Sequence, residues 1–473
     1  MIVSPEESPV IPATELGRVF FVGIGGAGMS GIARVMLMRG MDVAGSDARD
    51  SRVLTLLRAQ GAEVFVGHDA SHLRDVDTLV VSSAVRDSNA ELVAARASGL
   101  RILHRSQALA ALMVDRRAVA IAGTHGKTTT TSMTTVALQH CGIDPSFAIG
   151  GILTATGANA HDGTGDVFVA EADESDGSFL LYTPRVGVIT NVEADHLDFY
   201  GTGEAVEKAF DQFCDRVGES SDGVVVACAD DAGAARVAER ARQRGVTVWT
   251  YGRSDTADFR LENADFSGPG AVFDLVAQGR RLGRVALRQP GEYNALNAAA
   301  AFAVTQALGQ PVDRALAGLK AFGGTRRRFE LRGEVNGVRV FDDYAHHPTE
   351  LNALLKAARG VVAGSGRVFA IFQPHLFSRT VNFQVEFAQA LGRADEVVVM
   401  DVYAAREDPV PGVSGAIVAD RVELDPGLVH FIESWSAVVP FVLPKLQPND
   451  IVLTIGAGDV TMLGPEILEG LTS

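Results

Sequence analysis

The sequence predicts an α/β chain built from three domains on doubly wound, largely parallel sheets. Two observations carry that expectation. Short apolar strands alternate with helix-patterned stretches along three successive segments, the order that lays parallel strands between layers of helices. Two of those strands also run straight into glycine-rich turns that open helices, and the ends of such strands are where open α/β sheets hold ligands. At 473 residues the chain is too long for one ordinary core.

The first segment, 1–114, reads as a Rossmann-like nucleotide-binding domain. An apolar strand at 18–22 meets a glycine turn and a helix over 30–39; the next strand leads from Val43 to Ser46 and Asp47, and a buried strand at 78–81 ends at Ser82 and Ser83. The second segment, 115–325, opens with a strand at 118–122 and closes after an alanine-rich helix at 295–308. It reads as a P-loop, ATPase-like parallel sheet. Within it, 249–291 changes to short β-like runs, 272–276 and 284–287, parted by Gly and Pro, which predicts a small antiparallel insert. The third segment, 326–473, is again Rossmann-like, with strands at 339–341, 368–372, 396–400 and 451–455.

Composition sets the outer limits. The hydrophobic share of 47% and charged share of 21% suit a folded globular chain. Charges or glycines interrupt every apolar stretch before it reaches membrane-spanning length, so no membrane insertion is expected. Residues 1–16 are acidic and proline-bearing, without a basic stretch leading into an apolar one, which predicts a cytoplasmic protein. Cys141, Cys214 and Cys228 lack metal-type spacing and read as reduced structural residues. A net charge of −16 argues against a nucleic-acid footprint. It leaves room for a nucleotide held by one loop and a few cations.

The first glycine loop spells G-x-G-x-x-G over 23–28, after a strand and before a helix. Its glycines, Gly25, Gly26 and Gly28 with Ala27 between, let the backbone approach a diphosphate at the helix's positive end. Asp47 follows at the end of the next strand, where an acid can hold a ribose hydroxyl. This loop announces a diphosphate without saying which nucleotide carries it; alone it would suit a nicotinamide oxidoreductase.

The second loop, Gly123, Thr124, His125, Gly126, Lys127 and Thr128, followed by Thr129, resembles a Walker A loop. The first glycine of the full pattern is replaced by Ile121, yet the parts that phosphate needs remain: close-approach glycines, Lys127 for the terminal phosphates and Thr128 for Mg2+. A strand at 166–170 then delivers the carboxylate-rich 171–176, headed by Glu171, as a metal holder. Another strand at 186–190 leads to a stretch containing His196, which Mg2+ chemistry alone does not favour as a ligand, since that ion prefers oxygen. Two nucleotide-type loops in one chain suggest ATP at one and a nucleotide-activated substrate at the other.

The third segment gathers polar groups at strand ends, with Asp343, Tyr344 and His346 after one and His375 and Arg379 after another. Arg379 can hold a carboxylate, and either histidine can orient or deprotonate an amine. Upstream, Arg326, Arg327 and Arg328 read either as a solvated linker or as the source of an arginine finger.

Taken in order, the motifs resemble those of the Mur ligase family: GIGGAGMSG (23–31), GTHGKTTTT (123–131), EADESD (171–176), TNVEADHLD (190–198), GEYNALNA (291–298), DDYAHHPTE (342–350) and FQPHLFSRT (372–380). The resemblance covers nearly the whole chain from Arg18 onward. It implies three domains that take a UDP-sugar, ATP and an amino acid in turn. The substrates implied are UDP-N-acetylmuramic acid, L-alanine and ATP with Mg2+, joined through an acyl phosphate during peptidoglycan precursor synthesis. Carried onto this sequence, it puts Gly25, Gly26, Ala27, Gly28, Asp47, His68, Ser82 and Ser83 at the UDP-sugar. ATP would meet residues 123–129 together with Asn294, Asn297, Arg328 and Asp343. Thr128, Glu171 and His196 would be metal ligands, so the resemblance adds the histidine that metal chemistry left aside. Tyr344, His346, His375 and Arg379 would line the amino-acid pocket, with Lys127, Arg328 and His346 in catalysis and His346 as the amine's base.

Three positions depart from the family's usual pattern: Leu376-Phe377, where relatives often carry Arg-Tyr; Tyr293, where some carry His; and Lys208, the lysine nearest to one carbamylated in other members. The alternatives left open are a ligase adding a whole tripeptide to the same UDP-sugar, a nicotinamide oxidoreductase fused to an ATPase, and a nucleotide sensor without catalysis. Oligomeric state is not legible.

Overall fold

The computed structural model describes residues 10–362, 364–405 and 407–472. The acidic start read above therefore lies largely outside the described residues. Three sheets carry the chain. The first holds β1 (Val19–Val22), β2 (Val43–Asp47), β3 (Glu63–Val66), β4 (Thr78–Val81) and β5 (Arg101–His104) in the order β3-β2-β1-β4-β5. Every pairing in it is parallel. β1 and β4 are buried along their whole length, as continuous apolar strands covered on both faces should be. β2 and β3 lie on one side of β1 and β4 and β5 on the other, and the first glycine loop follows β1 at that switch point.

The second sheet holds β6 (Arg117–Ala122), β7 (Ser146–Ala148), β8 (Ala160–His161), β9 (Val167–Glu171), β10 (Val186–Ile189), β11 (Val224–Cys228), β12 (Thr247–Gly252), β13 (Phe259–Asp265), β14 (Val272–Ala277) and β15 (Arg280–Ala286). Its order is β15-β14-β13-β12-β11-β10-β6-β9-β7-β8. β6 lies between β9 and β10, parallel to both. That adjacency brings the P-loop, the 171–176 acids and the His196 stretch to one edge, although 43 or more residues separate the loop from either.

The expected antiparallel insert forms the end of the central sheet. It is not a separate sheet: β13 continues the central sheet by a short parallel pairing with β12, Tyr251 beside Phe259. Beyond β13 the neighbours are joined by short connections and run antiparallel. There Gln278 and Gly279 join β14 to β15 with φ of 51° and 72°, a two-residue primed turn that only antiparallel neighbours can share.

The third sheet holds β16 (Glu330–Val335), β17 (Val338–Asp343), β18 (Val368–Phe372), β19 (Glu396–Met400), β20 (Val429–Ile432) and β21 (Ile451–Ile455), ordered β16-β17-β21-β18-β19-β20. Only the β16–β17 hairpin is antiparallel. Asp343 pairs with Ile455, and Ile455 with Phe372, so three strand ends finish level.

The chain gathers into two compact units: one made of residues up to 262 with 274–284 and 296–322, the other of 263–273, 285–295 and everything from 323. The first sheet and strands β6 to β12 of the second lie in the first unit. The reason lies in packing between them. Gly31 packs on Ala160, Asn159 donates to the Ala27 carbonyl, and Arg39 pairs with Asp162 at 2.9 Å. The three cysteines are buried thiols, and among the described residues no helix is long and apolar enough to cross a membrane.

Candidate functional site

In the first unit, β6 delivers the P-loop in a strained form that only glycine accepts. Gly123 and Gly126 have φ of 126° and 83°. A Cβ on Gly123 would lie 2.0 Å from Thr190 Oγ1, and one on Gly126 would lie 2.8 Å from Asn297 Oδ1. The loop is tied down from β10. Thr190 Oγ1 and Asn191 Nδ2 donate to the His125 carbonyl at 2.6 and 3.0 Å, and the His125 amide donates back to Asn191 Oδ1 at 2.7 Å. Asn297, expected at adenine, accepts from Thr130 Oγ1 at 3.1 Å and thus braces the helix that the loop opens.

Lys127 begins that helix, Lys127–His140. Its Nζ donates to the carbonyls of Gly123 and Thr124 at 2.7 and 3.2 Å and pairs with Glu174 Oε2 at 2.9 Å. Burial alone would pull this ammonium down, but Glu174 and Asp173 outweigh burial and hold it above its ordinary value. Burial pushes the Glu174 carboxyl up, against the pull of Lys127. Glu174 was legible in the sequence only as one acid among several; its pairing with the phosphate-binding lysine needed β9 beside β6. Asp173 is half-exposed, and Arg105 and Lys127, against a desolvation that would raise it, hold it well below the usual carboxylate range.

Thr128 Oγ1 donates to Glu171 Oε1 at 3.0 Å, and the other Glu171 oxygen accepts from the Gly150 amide at 2.8 Å. A hydroxyl and a carboxylate so close make a hard-oxygen pair of the kind Mg2+ takes. His196 has φ of 54°, and its Nε2 lies 3.7 Å from Glu174 Oε1 and 3.7 Å from Asp195 Oδ2. It stands on the Glu174 side of this edge.

At the first glycine loop, the Gly25 amide donates to Asp47 Oδ2 at 3.0 Å, so Asp47 braces the loop as well as ending β2. A Cβ on Gly25 would sit 2.8 Å from the same oxygen. Gly26 caps the helix Ala27–Met38 without a side-chain acceptor, and helix-start amides of that kind can take an anion. His68 is held by its Nδ1, 2.9 Å from the fully buried Glu91 and 3.0 Å from Ser46 Oγ. Ser82 is half-buried and Ser83 exposed beyond β4.

The second unit builds its own cluster at the level ends of β17, β18 and β21. Asp343 accepts from the amides of Phe329 and Ala345, both at 2.7 Å. Burial pushes its carboxyl up to about 6, against the pull of Arg328. Tyr344 lies under the guanidinium groups of Arg327 and Arg328, 4.8 and 5.3 Å from its ring centre. Arg327 donates to the carbonyls of Gly456 and Gly458 at 2.6 and 3.1 Å and so is a structural tie. Arg328 approaches Glu350 at 4.0 Å. Neither arginine belongs to a merely solvated linker.

His346 and His375 meet edge to face with ring centres 6.0 Å apart, and His375 stacks on Tyr403. Nδ1 of His346 lies 3.1 Å from the Tyr344 carbonyl. Burial drives the His346 imidazole down to about 4, with Glu350 resisting and Arg379 and Arg328 assisting. The ring is therefore neutral at physiological pH but a weaker base than an ordinary histidine. That outcome is set by tertiary burial and was absent from the sequence expectation of His346 as a base. Arg379 sits half-buried in the short helix Phe377–Asn382. Asn294 is buried and donates to the Pro290 carbonyl at 2.8 Å.

Models of the Mur ligase family match the chain in three parts: the family's catalytic domain over residues 18–117, its middle domain over 121–305 and its glutamate ligase domain over 327–458. A UDP-N-acetylmuramate–L-alanine ligase of Saccharopolyspora erythraea is 57% identical over 460 residues, spanning 96% of this chain and 93% of its own. Its counterpart in Kineococcus radiotolerans is 56% identical over 472 residues, 99% of each chain. Among solved structures, UDP-N-acetylmuramate-alanine ligase from Thermotoga maritima aligns with a TM-score of 0.79 at 31% identity, over 96% of this chain and 98% of that one. A murein peptide ligase from Psychrobacter arcticus aligns at 0.70 and 27% identity over the same shares. With its motifs, its three sheets and its nearly full-length likeness in agreement, the chain belongs to the Mur ligase family.

Proposed function

We propose that this protein joins L-alanine to the carboxylate of UDP-N-acetylmuramate at the expense of ATP, the first amino-acid addition in peptidoglycan precursor synthesis. The observation that carries the reading is likeness above 50% along nearly the whole chain to ligases of that name. The two glycine loops within one unit support it, since they suit one nucleotide substrate each. A reaction that uses ATP and a nucleotide-sugar fits the cytoplasm.

A carboxylate is a poor electrophile, so it must first be phosphorylated, and the amine of alanine then displaces phosphate. The P-loop amides and Lys127 bind the ATP phosphates, with Lys127 exchanging its carboxylate partner Glu174 for phosphate oxygen. Thr128 and Glu171, with His196 alongside, would hold Mg2+, which when bound offsets the charge on the phosphates. Arg328 contributes a further cation to that charge. Asn297 keeps the adenine side of the loop in shape, and Asn294 and Asp343 serve the nucleoside. The UDP-sugar lies on Gly25, Gly26, Ala27 and Gly28, with Asp47, His68, Ser82 and Ser83 at the neighbouring strand ends. Arg379 binds the carboxylate of alanine beside Tyr344 and His375. His346, neutral and half-buried, accepts a hydrogen bond from the amine and orients it; with a value of about 4 it passes the proton on rather than storing it.

The test is phosphate release from ATP and Mg2+ with UDP-N-acetylmuramate, with and without L-alanine, and with the mass of the product. Release that needs both substrates and stops on chelation, with one alanine added, is the expected result. Release with the tripeptide in place of alanine would assign the murein peptide ligase activity instead. Release with neither would refute both.

A further inference from the structure

Arg105 carries no motif and was not singled out by its sequence, yet the fold sets it between the two glycine loops. It opens the helix Arg105–Met113 directly after β5. Its Nη2 donates to Asp173 Oδ2 at 2.8 Å. Its Nη1 lies over the first turn of the helix Ala27–Met38, 3.1 Å from where a Cβ on Gly28 would stand. Among Gly25, Gly26 and Gly28, only Gly28 has a cationic group that near. The acid that does touch the loop, Asp47, is of the wrong sign for a phosphate.

A diphosphate diester brings two negative charges to this turn. Backbone amides and a helix end supply only partial positive charge, so a full cation is wanted within reach. Asp173, which holds Arg105, neighbours Glu174, the partner of Lys127. A line of charged groups, two carboxylates between two cations, thus runs from the P-loop lysine through Glu174 and Asp173 to Arg105 and the first glycine loop.

We propose that Arg105 is a substrate-binding residue for the diphosphate of the nucleotide-sugar, and that Asp173 competes with that diphosphate for its guanidinium. The proposal rests on the reading that the first loop holds the UDP-sugar. Binding of the sugar nucleotide draws Arg105 off Asp173 and leaves that carboxylate facing Lys127, so occupancy of the first loop changes the charge beside the ATP site.

Calorimetric titration of the full-length protein without ATP tests this, using UDP-N-acetylmuramate, UDP and uridine as probes. R105A is expected to weaken both diphosphates by about 10- to 100-fold, the worth of a charge-assisted hydrogen bond, while leaving uridine unchanged. D173N, which releases the guanidinium, is expected to tighten both diphosphates. These opposite signs separate a binding role from a merely structural ion pair, whose two halves would fail alike. Should R105A not fold, R105K serves: charge without the planar fork is expected to weaken UDP and spare uridine. Wild-type affinity for UDP in the Arg105 variants, or weakened affinity in D173N, overturns the proposal while the reading stands. A wild-type protein that binds neither UDP nor UDP-N-acetylmuramate overturns the reading and the proposal with it.

Discussion

Replacing Lys127 by methionine removes the cation from a nearly enclosed ion pair and leaves Glu174 to find another way to exist. The two side chains are 14% and 2% exposed, with Nζ 2.9 Å from the nearer carboxylate oxygen. Breaking such a pair from one side costs about 3–5 kcal/mol. Protonation of Glu174 sets a ceiling on that loss. Starting from the ordinary carboxyl value of 4.5, taking up a proton at pH 7 costs about 3.4 kcal/mol, and at pH 5.5 about 1.4 kcal/mol. The sign follows from linkage. In K127M the folded value of Glu174 lies above the unfolded one, so the destabilisation is full at high pH and fades as pH falls toward 4.5. Urea unfolding of wild type and K127M at both pH values is the assay, with K127M/E174Q as the second variant. Glutamine keeps the shape of Glu174 without its charge, so the double variant should recover to within about 1 kcal/mol of wild type while remaining unable to release phosphate from ATP. An equal loss at both pH values, or a double variant no more stable than K127M, would refute the reasoning.

Other outcomes follow from the same geometry. G126A places a Cβ at a φ of 83° and 2.8 Å from Asn297 Oδ1; it is expected to cost about 1–3 kcal/mol and to abolish ATP binding, and normal nucleotide affinity by titration would contradict it. His346 and Asp343 should tilt stability in opposite directions with pH. The imidazole is pushed down to about 4, so stability is lost as pH falls from 6.5 to 4, by about 3 kcal/mol, and H346Q should remove that slope. Asp343 is pushed up to about 6, so stability is lost as pH rises from 3.8 to 6, again by about 3 kcal/mol, and D343N should remove it. Unfolding midpoints across that window check both, and equal slopes in wild type and variants would sink the assignments. R379A should raise the KM for alanine about 10- to 100-fold with a smaller effect on kcat, since a guanidinium–carboxylate contact is worth about 1.5–3 kcal/mol; an unchanged KM removes Arg379 from the pocket.

The strands were the most legible part of the fold. The runs at 78–81, 368–372, 396–400 and 451–455 coincide with β4, β18, β19 and β21, because a strand buried on both faces is apolar at nearly every position and its ends are marked by polar residues. β3 and β5 went unread. Their mixed sequences, Glu63–Val66 and Arg101–His104, face solvent in part at the edges of the sheet, and half-exposed strands carry no such run. The loops were legible because phosphate binding demands glycine at fixed spacing, and the same backbone needs appear as the φ values of Gly123 and Gly126.

What the sequence by itself determined, then, was the set of elements and the groups capable of the chemistry: two glycine loops, Lys127, Thr128, Glu171, and the polar clusters that end β17 and β18. Which of them act on one another was decided only in three dimensions. Glu174 becomes the partner of Lys127 because β9 lies beside β6. Arg105 reaches both the turn at Gly28 and the carboxylate of Asp173 only in the folded chain, and no local pattern marks a lone arginine for that place. His346 and Asp343 acquire their shifted proton affinities from burial. Sequence spacing fixes periodicity and turn chemistry, whereas charge pairing and desolvation depend on distances between residues far apart along the chain.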